Sequence, residues 1–383
     1  MRIGIVCYPT FGGSGVVATE LGQALAEKGH EVHFITYSQP VRLDLVNENV
    51  FYHEVTVASY PLFEYPPYEL VLTSKLVDVV KYEKIELLHV HYAIPHASAA
   101  YMAKKILDSQ GISIPFITTL HGTDITLVGK DSSFEPVITF AINKSDAVTA
   151  VSEDLKKETY THFNINRDIE VIPNFICLVR HNDAEREAVK SKYAKDGEIL
   201  VAHISNFRKV KRVQDVMYVF KKLLEKGMKA KLLMIGDGPE RHNMEMLCRE
   251  LGTCNEVSFL GKSKNTETLL SGVDLFLLPS ETESFGLAAL EAMASGVPVI
   301  SSNTGGLPEV NKHGFSGYLS EVGDIEDMVN NALKIIGNEE DLHRFKKNAR
   351  ERAEKFAIER VLPQYEALYN KTLEENKAQS TKA

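Results

Sequence analysis

The sequence lacks several features that would assign it to common protein classes. No apolar run approaches the roughly 20 residues that a membrane-spanning helix needs. The apolar run Ile3–Cys7 has five residues, which is too short for a signal peptide and predicts a first strand. The four cysteines form no C-x-x-C pair, so they indicate reduced thiols rather than disulfides or a metal cluster. We therefore expect a cytoplasmic protein without stable membrane insertion.

Basic residues are also outnumbered by acidic ones, 43 against 52. The formal net charge is −9, which argues against a nucleic-acid partner, because such proteins present a basic face. Short-period repeats and low-complexity tracts are absent from the sequence. What remains is an ordinary globular composition, with 44% hydrophobic and 25% charged residues. A chain of 383 residues exceeds one compact core, so two domains are expected.

Apolar runs alternate with amphipathic segments along almost the whole chain, which is the pattern of βα units on a parallel sheet. The strands predicted in the first half are Ile3–Cys7, Val32–Thr36, Phe51–Val57, Leu87–His91, Pro115–Leu120 and Ala147–Val151. Those predicted in the second half are Ile199–Ile204, Lys231–Ile235, Glu256–Leu260, Asp274–Leu278 and Val297–Ser301. We expect two Rossmann-like, doubly wound α/β domains facing a deep cleft, with ligands at the carboxyl ends of the strands.

Three segments interrupt or end this alternation. The pattern breaks near Val171–Ile176, and the polar stretch that follows through Gly197 is predicted to be a linker. A long charged helix is predicted over about Asp341–Leu373. The polar residues after it predict a disordered tail.

A glycine loop follows the first predicted strand. Gly13–Ala18 matches G-x-G-x-x-A and opens an amphipathic segment, and backbone N–H groups at a helix N-terminus favour phosphate. Tyr8–Phe11 separates the strand from the glycines, and the second strand ends in Thr36–Ser38 without the acidic residue that a dinucleotide ribose requires. A dinucleotide site, a purely structural turn and a site for another phosphate-bearing ligand remain alternatives.

Histidines occur where two predicted strands end. His121 directly follows a strand and precedes Gly122, which places it at the carboxyl edge of an open sheet. His89 and His91 lie on the same face of their strand by alternation, so one of them can be a packing residue. A metal site is disfavoured here, because the sequence offers no evident third ligand.

Two further candidates lie in the second half. Four cations within five positions, Arg208–Arg212, follow a predicted strand and open a helix. Such a run is usually a solvated surface, but beside a helix N-terminus it would suit a diphosphate. In the other candidate, a helix beginning near Phe285 would place Glu283 at its start and Glu291 about one and a half turns in. Glu283 could then bind sugar hydroxyls and Glu291 a ribose.

These motifs resemble the retaining glycosyltransferases of family 4, which have the GT-B fold. Glu283-x7-Glu291, GDGPE at Gly236–Glu240, LPSETESFGLAALEAMASGVPVI and Gly12-Gly13 occur in the family order. CYPTFGGSGVVATELG, HVHYAIPHA and HISNFRKVKRVQDV resemble the branch that joins N-acetylglucosamine to L-malate in the first step of bacillithiol biosynthesis. The resemblance covers essentially the whole chain. It implies an acceptor domain, 1–172, and a donor domain, 173–361, with a last helix of about 362–383 crossing back onto the acceptor domain.

The resemblance also implies roles for individual residues. Those implied to act in catalysis are His121, Lys211, Arg208 and Glu283. Those implied to bind the donor UDP-GlcNAc are Gly13, Asn206, Leu260, Ser284, Phe285, Gly286, Leu287 and Glu291. In this scheme Lys211 and Arg208 neutralise the diphosphate, and His121 bonds to the donor sugar near the reacting centre. For the acceptor, a small dianion, the first domain offers Ser14, Tyr92 and Arg42.

The sequence departs from the family pattern at one position. The family usually spaces its phosphate-binding arginine and lysine as R-x4-K, but the fifth residue before Lys211 is Asn206. The nearest arginine is Arg208. Either Arg208 acts from a displaced position, or Asn206 makes a weaker neutral contact.

The implied reaction gives GlcNAc-α-malate and UDP with retention, through front-face attack and proton transfer to a β-phosphate oxygen. Metal independence is expected, because no two aspartates stand at the D-x-D spacing of GT-A enzymes. Three alternatives remain: another acceptor (inositol phosphate, a lipid or a polysaccharide), a UDP-sugar epimerase, and a non-catalytic binding module. The sequence is also compatible with a homo-oligomer. Tyr60–Leu70 is the stretch that could meet a lipid, although Glu64 and Glu69 would be repelled by anionic membranes.

Overall fold

The computed structural model describes residues 1–10, 12–57, 65–127 and 131–380. The chain divides into two compact units, Met1–Asn174 with Ile358–Ala383 (unit 1) and Phe175–Ala357 (unit 2). Each unit contains one parallel sheet covered by helices. The assignment of acceptor and donor roles to these units stays a prediction.

Unit 1 is built on a seven-stranded parallel sheet with the order β3-β2-β1-β4-β5-β6-β7. Its strands are β1 (Arg2–Val6), β2 (Glu31–Thr36), β3 (Val50–Glu54), β4 (Leu87–His91), β5 (Phe116–Leu120), β6 (Ala147–Ala150) and β7 (Ile169–Val171). The helices between them are α1 (Gly13–Glu27), α2 (Tyr68–Glu83), α3 (Ser98–Asp108), α4 (Glu135–Lys144) and α5 (Glu153–His162). Helices on both faces bury β4 and β5 completely, including the two histidines of β4 and the two threonines of β5.

Unit 2 is built on a six-stranded parallel sheet with the order β10-β9-β8-β11-β12-β13. Its strands are β8 (Ile199–Ser205), β9 (Ala230–Gly236), β10 (Val257–Gly261), β11 (Leu275–Leu278), β12 (Val299–Ser302) and β13 (Gly317–Ser320). Its helices are α6 (Arg186–Tyr193), α7 (Val213–Glu225), α8 (Arg241–Glu250), α9 (Thr266–Ser271), α10 (Leu287–Ala294), α11 (Leu307–Val310), α12 (Ile325–Ile336) and α13 (Glu339–Ala353).

The eleven predicted strands are confirmed, with ends that shift by up to three residues. The two strands that the sequence did not predict are β7 and β13, which have three and four residues. Both lie at an edge of their sheet. The strands β6, β11 and β12 are equally short but almost fully buried, so they read as apolar runs, whereas β7 and β13 are only partly buried and lack such a run.

Three predictions for the connecting segments are wrong. The stretch predicted as a linker contains the helix α6. The predicted single charged helix is two helices, because a 3-10 turn (Glu354–Phe356) and extended Ala357 separate α13 from α14 (Ile358–Ser380). The tail predicted to be disordered is helical to Ser380, since glutamate, lysine, alanine and glutamine are strong helix formers that extend an existing helix.

Helix α14 belongs to unit 1, where it packs against α1. Its Tyr365 and Tyr369 are among the largest fully buried side chains of the chain. The Tyr369 hydroxyl lies 2.7 Å from His89 Nδ1 on β4. The C-terminal segment therefore completes the core beneath the histidine-bearing strands.

Two further findings bear on membranes and redox state. In the described part of the chain, no helix is both long enough and apolar enough to cross a bilayer. Residues 60–64 of the stretch Tyr60–Leu70 lie outside the described residues, and its last residues begin α2. None of the four cysteines, all of which are described, forms a disulfide.

Candidate active site

The first group of predicted site residues lies at the carboxyl edge of the sheet in unit 2. Strand β8 ends at Ser205 and leads through buried Phe207 into a 3-10 turn, Lys209–Lys211. Strand β11 pairs with β8, so the loops that follow the two strands lie side by side. A backbone hydrogen bond of 2.8 Å from Glu281 N–H to the Val210 carbonyl joins them.

Lys211 and Glu283 are brought together by these loops. Lys211 Nζ lies 2.6 Å from Glu283 Oε1, and the two side chains are 19% and 14% exposed. The Ser280 hydroxyl donates to the same carboxylate oxygen at 3.0 Å. The pair is separated by 72 positions in sequence, so the sheet topology alone makes it. A partly buried lysine held at a sheet edge is a suitable partner for a phosphate oxygen.

The N-terminus of α10 begins four residues after Glu283. Gly286, with φ of 96°, is its N-cap, and the helix starts at Leu287, two residues later than predicted. Buried Phe285 contacts Phe356 edge to face at 5.7 Å, which anchors this turn. The first backbone N–H groups of the helix, including that of Leu287, have no carbonyl acceptor within the helix, so they are available to bind an anion. Glu291 lies half-buried in the second turn of the helix.

Gly305 and Gly306 support this arrangement and were not predicted as site residues. A Cβ at Gly305 would lie 2.1 Å from the Glu283 carbonyl oxygen, and one at Gly306 would lie 2.5 Å from that of Ser284. The Gly306 N–H also donates to the Glu283 carbonyl at 2.8 Å. Only glycine permits this approach. The signal in the sequence was a glycine pair that follows the end of β12 after two residues, Asn303 and Thr304.

His203 is a second residue that sequence reasoning missed. Its Nδ1 donates to the Leu277 carbonyl at 2.8 Å, and its Nε2 therefore accepts from the Ser205 hydroxyl, also at 2.8 Å. Ser205 Oγ in turn accepts from Phe207 N–H at 3.3 Å. Burial lowers the pKa of His203 to about 4, so the ring is neutral. This chain of bonds fixes the turn that presents Lys211.

Among the described residues, no side-chain contact joins Arg208, Asn206 or Leu260 to the Lys211–Glu283 pair. Arg208 meets Lys211 through the backbone, where its carbonyl accepts from the Lys211 N–H at 2.9 Å. Arg208 and Asn206 are exposed on the loop after β8, and a Cβ at Gly238 of the GDGPE motif would lie 2.2 Å from the Asn206 carbonyl oxygen. Leu260 lies on β10, three strand positions from β11, which is about 14 Å at the usual strand spacing.

A cavity of about 550 Å³ lies beside this loop. The residues lining it come mainly from α7 and α8 and include Lys209, Arg212, Tyr218 and Glu240. Lys209 and Arg212 belong to the predicted cation run, but none of the residues assigned a catalytic, donor or acceptor role lines this cavity.

The second group of predicted residues lies in unit 1, where β1 leads into α1. Helix α1 begins at Gly13, with Gly12 as an N-cap that makes no side-chain hydrogen bond. A Cβ at Gly15 would lie 2.5 Å from the Tyr8 carbonyl oxygen, so glycine is needed for the turn to close. The Tyr92 hydroxyl donates to Ser14 Oγ at 2.7 Å. The two predicted acceptor residues Ser14 and Tyr92, 78 positions apart, are thus in contact.

Asp124 joins the loops that bear Tyr92 and His121, and sequence reasoning did not select it. Its carboxylate accepts from the backbone N–H groups of Ala93 at 2.8 Å and Gly122 at 3.1 Å. The side chain is 2% exposed. Burial raises the pKa of Asp124 to about 6, against the opposing effect of these N–H donors.

His121 lies at the end of a stacked row of histidine rings. His91 Nδ1 and His121 Nε2 are 2.7 Å apart, with ring centroids at 5.0 Å. The His89 ring stacks on His91 at 4.5 Å, which confirms that both lie on one face of β4. Burial lowers the pKa of His89 and His121 to about 3. Among the residues described, no group of three or more potential ligand side chains is placed to hold a metal ion.

Arg42 is not brought to Ser14 or Tyr92 by any described contact. Its guanidinium pairs with the Glu20 carboxylate at 2.5 Å, with the two side chains 17% and 6% exposed. Glu20 lies six residues after Ser14 on α1, about 9 Å along the helix axis. The structure therefore gives Arg42 a structural partner, and its role toward an acceptor stays a prediction.

Comparisons with known proteins identify the family. A model of group 1 glycosyl transferases matches residues 185–352, and a model of Glycosyltransferase Family 4 matches residues 11–180. The N-acetyl-alpha-D-glucosaminyl L-malate synthase of Bacillus anthracis is 49% identical over 383 residues, which cover 98% of each chain. The chain belongs to glycosyltransferase family 4.

Other similarities of this family-4 glycosyltransferase extend over nearly its whole length. A glycosyltransferase of Methanocaldococcus jannaschii is 29% identical, over 88% of this chain and 93% of its own. HepE of Anabaena, solved in complex with UDP-glucose, superimposes with a TM-score of 0.81 at 18% identity, over 97% of this chain and 100% of its own. Sucrose-phosphate synthase of Thermosynechococcus elongatus superimposes with a TM-score of 0.79 at 20% identity, over 97% of this chain and 98% of its own. These likenesses confirm the predicted GT-B fold, with two Rossmann-like domains.

Proposed function

We propose that this glycosyltransferase transfers N-acetylglucosamine from UDP-GlcNAc to the hydroxyl of L-malate, giving GlcNAc-α-malate and UDP. The observation that supports this most strongly is the 49% identity, over 98% of both chains, to a protein named for that product. The product would be the first intermediate of bacillithiol biosynthesis. The contacts within each unit supply a physical rationale for the individual steps.

Unit 2 would bind the donor. Lys211 and the N-terminal amides of α10 combine a full positive charge with the partial charge of a helix N-terminus, and both stabilise a diphosphate. Glu283 would accept hydrogen bonds from the sugar hydroxyls, and Glu291 from the uridine ribose. Glu283 also pairs with Lys211, with Nζ and Oε1 2.6 Å apart. Donor binding would then divide the charge of the lysine between the carboxylate and the phosphate.

Catalysis would consist mainly of stabilising the charge that develops on the departing UDP. The malate hydroxyl attacks the anomeric carbon from the face that UDP leaves, the glycosidic bond to the β-phosphate oxygen breaks, and that oxygen takes the hydroxyl proton. The α configuration of the donor is therefore retained. A fixed cation beside the leaving group is worth most where water is excluded, because screening is weak there. In this route neither a carboxylate base nor a divalent metal is required.

Unit 1 would bind the acceptor. Ser14 and Tyr92 offer hydroxyl groups 2.7 Å apart at the N-terminus of α1, where uncapped backbone amides favour a carboxylate. The amide of Gly13 would approach the diphosphate, and His121 would bond to the donor sugar. Of the predicted acceptor residues, Arg42 has the weakest support, because its guanidinium already pairs with Glu20.

The experiment that tests this function measures UDP release from UDP-GlcNAc with a panel of acceptors: L-malate, D-malate, inositol phosphate, a lipid acceptor and water. We expect release with L-malate and an α-anomeric product by NMR, in buffer with EDTA as well as with magnesium. Release with another acceptor but not with L-malate would reject the malate assignment. Conversion of UDP-GlcNAc without an acceptor would indicate an epimerase, and binding without any turnover a non-catalytic module.

A further inference from the structure

The rings of His91 and His121 share one hydrogen bond, and the identity of its donor determines what His121 offers to a substrate. The bond joins His91 Nδ1 to His121 Nε2 at 2.7 Å. Burial lowers the pKa of His121 to about 3, and burial together with neighbouring histidines lowers the pKa of His91 well below its ordinary value. Both rings are therefore neutral, and each bears one ring proton.

The surroundings of His91 distinguish the two possible arrangements. His91 is fully buried, and its Nε2 has no hydrogen-bond partner among the described residues. If His121 donated, His91 would have to place its proton on Nε2, as a buried N–H group without an acceptor. Orphaned buried N–H groups are rare in proteins, whereas an unpaired acceptor lone pair is tolerated more often. The arrangement in which His91 donates from Nδ1 avoids the orphan.

The neighbouring histidine cannot relieve that orphan. His96 Nδ1 lies 2.5 Å from the His91 carbonyl oxygen, so it donates, and the neutral ring has a bare Nε2. Within the described residues neither His96 Nε2 nor His91 Nε2 has a partner. The two atoms therefore do not bond to each other, and His96 supplies no acceptor for an N–H on His91 Nε2.

We infer that His91 is a positioning residue that donates from Nδ1 to His121 Nε2 and thereby places the proton of His121 on Nδ1. His121 then presents a hydrogen-bond donor rather than an acceptor. No described residue bonds to its Nδ1, and the side chain is only half-buried. A sugar hydroxyl or a phosphoryl oxygen of the donor is the chemical class that this N–H would bind. The last step rests on the proposed function; the tautomer itself does not.

The tautomer can be read directly in the unliganded protein. Ring-nitrogen NMR of 15N-histidine-labelled protein distinguishes protonated from bare nitrogens, and the His121→Gln variant assigns the signals. We expect a proton on His121 Nδ1 and a bare Nε2. A proton on Nε2 would overturn the inference. If the wild-type enzyme failed to use L-malate while the Nδ1–H signal was present, the proposed function would fail and the inference would stand.

Two variants test the consequence for turnover. The side-chain amide introduced by His91→Asn can still donate at the position of Nδ1, whereas the carboxylate introduced by His91→Asp can only accept and would move the His121 proton to Nε2. We expect kcat/KM for UDP-GlcNAc within about threefold of wild type for H91N, and at least about tenfold lower for H91D. Equal activity of H91N and H91D would contradict the inference.

The chain contains a matched control for burying a carboxylate in a histidine pair. His33 Nδ1 lies 2.9 Å from His53 Nε2 in the same kind of contact, between β2 and β3. His33 is buried, burial lowers its pKa to about 4, and its Nε2 also lacks a partner among the described residues. His33→Asp should destabilise the fold as H91D does but leave the His121 signals and kcat/KM within about twofold of wild type. An equal loss of activity in H33D would mean that H91D acts only through stability.

Discussion

Replacement of Lys211 by alanine is the sharpest test of the proposed diphosphate site. The side chain is 19% exposed and its Nζ lies 2.6 Å from Glu283 Oε1. Its removal deletes one positive charge without disturbing the backbone of the 3-10 turn. Glu283 keeps the hydrogen bond from the Ser280 hydroxyl at 3.0 Å. We therefore expect the free energy of unfolding to fall by only about 1 kcal/mol.

The effect on catalysis should be much larger than the effect on stability. Two unit charges 4 Å apart interact by about 4 kcal/mol at an effective dielectric constant of about 20 and by about 1 kcal/mol in bulk water. A lysine that is mostly buried lies nearer the first value. Since each 1.36 kcal/mol corresponds to about tenfold in rate, Lys211→Ala should lower kcat by roughly 10²–10³. The loss of one preorganised donor at an oxyanion has a similar cost, about 10²–10³.

The assay is steady-state UDP release with saturating L-malate, together with urea unfolding of each variant. Lys209→Ala is the matched control, because Lys209 belongs to the same turn but is exposed and does not contact Glu283. Its kcat should stay within about twofold of wild type. Lys211→Arg should recover part of the rate, since it restores the charge. A Lys211→Ala enzyme with kcat within about threefold of wild type would refute the electrostatic argument.

Three more predictions concern groups that position the site. Burial raises the pKa of Asp124 to about 6, so the folded chain keeps a proton that the unfolded chain loses near pH 4. As the pH rises from about 4 to 6, the free energy of unfolding of the wild type should therefore fall by on the order of 2–3 kcal/mol, and that of Asp124→Asn should not. Urea unfolding measures both, and the same pH dependence in the two proteins would contradict the role of Asp124. Gly305→Ala places a Cβ 2.1 Å from the Glu283 carbonyl oxygen and should lower kcat at least about tenfold. Gly314→Ala is the control: it has open space around it and should change only the free energy of unfolding, by about 1 kcal/mol. Similar kcat values for the two variants would disprove the role of Gly305. Arg42→Ala removes the cation that pairs with the Glu20 carboxylate, which is 6% exposed, and should lower the unfolding free energy by about 2–4 kcal/mol. An unchanged KM for L-malate would exclude Arg42 from the acceptor site.

Much of the fold could be predicted because its determinants are local and repetitive. A buried parallel strand such as β11, with the sequence LFLL, is a continuous apolar run, and it is followed by the helix α10. Two segments join the end of a strand to the start of a helix: the glycine loop before α1 and the segment from Glu283 to Glu291. Their position at the carboxyl edge of a sheet therefore follows from the order of elements along the chain. The edge strands β7 and β13 were missed because they are short and only partly buried, so they show neither a period nor a continuous apolar run.

The amino-acid sequence by itself determined the parallel α/β architecture, the two-domain organisation and the residue types at the carboxyl ends of the strands. Only the tertiary structure decided which of those residues meet. It paired Lys211 with Glu283, Tyr92 with Ser14, and Arg42 with Glu20 rather than with the acceptor residues. It also placed His91 against His121, 30 positions away. Such pairs depend on strand order and register, which the packing of a whole sheet sets, and periodicity within one segment contains no information about them.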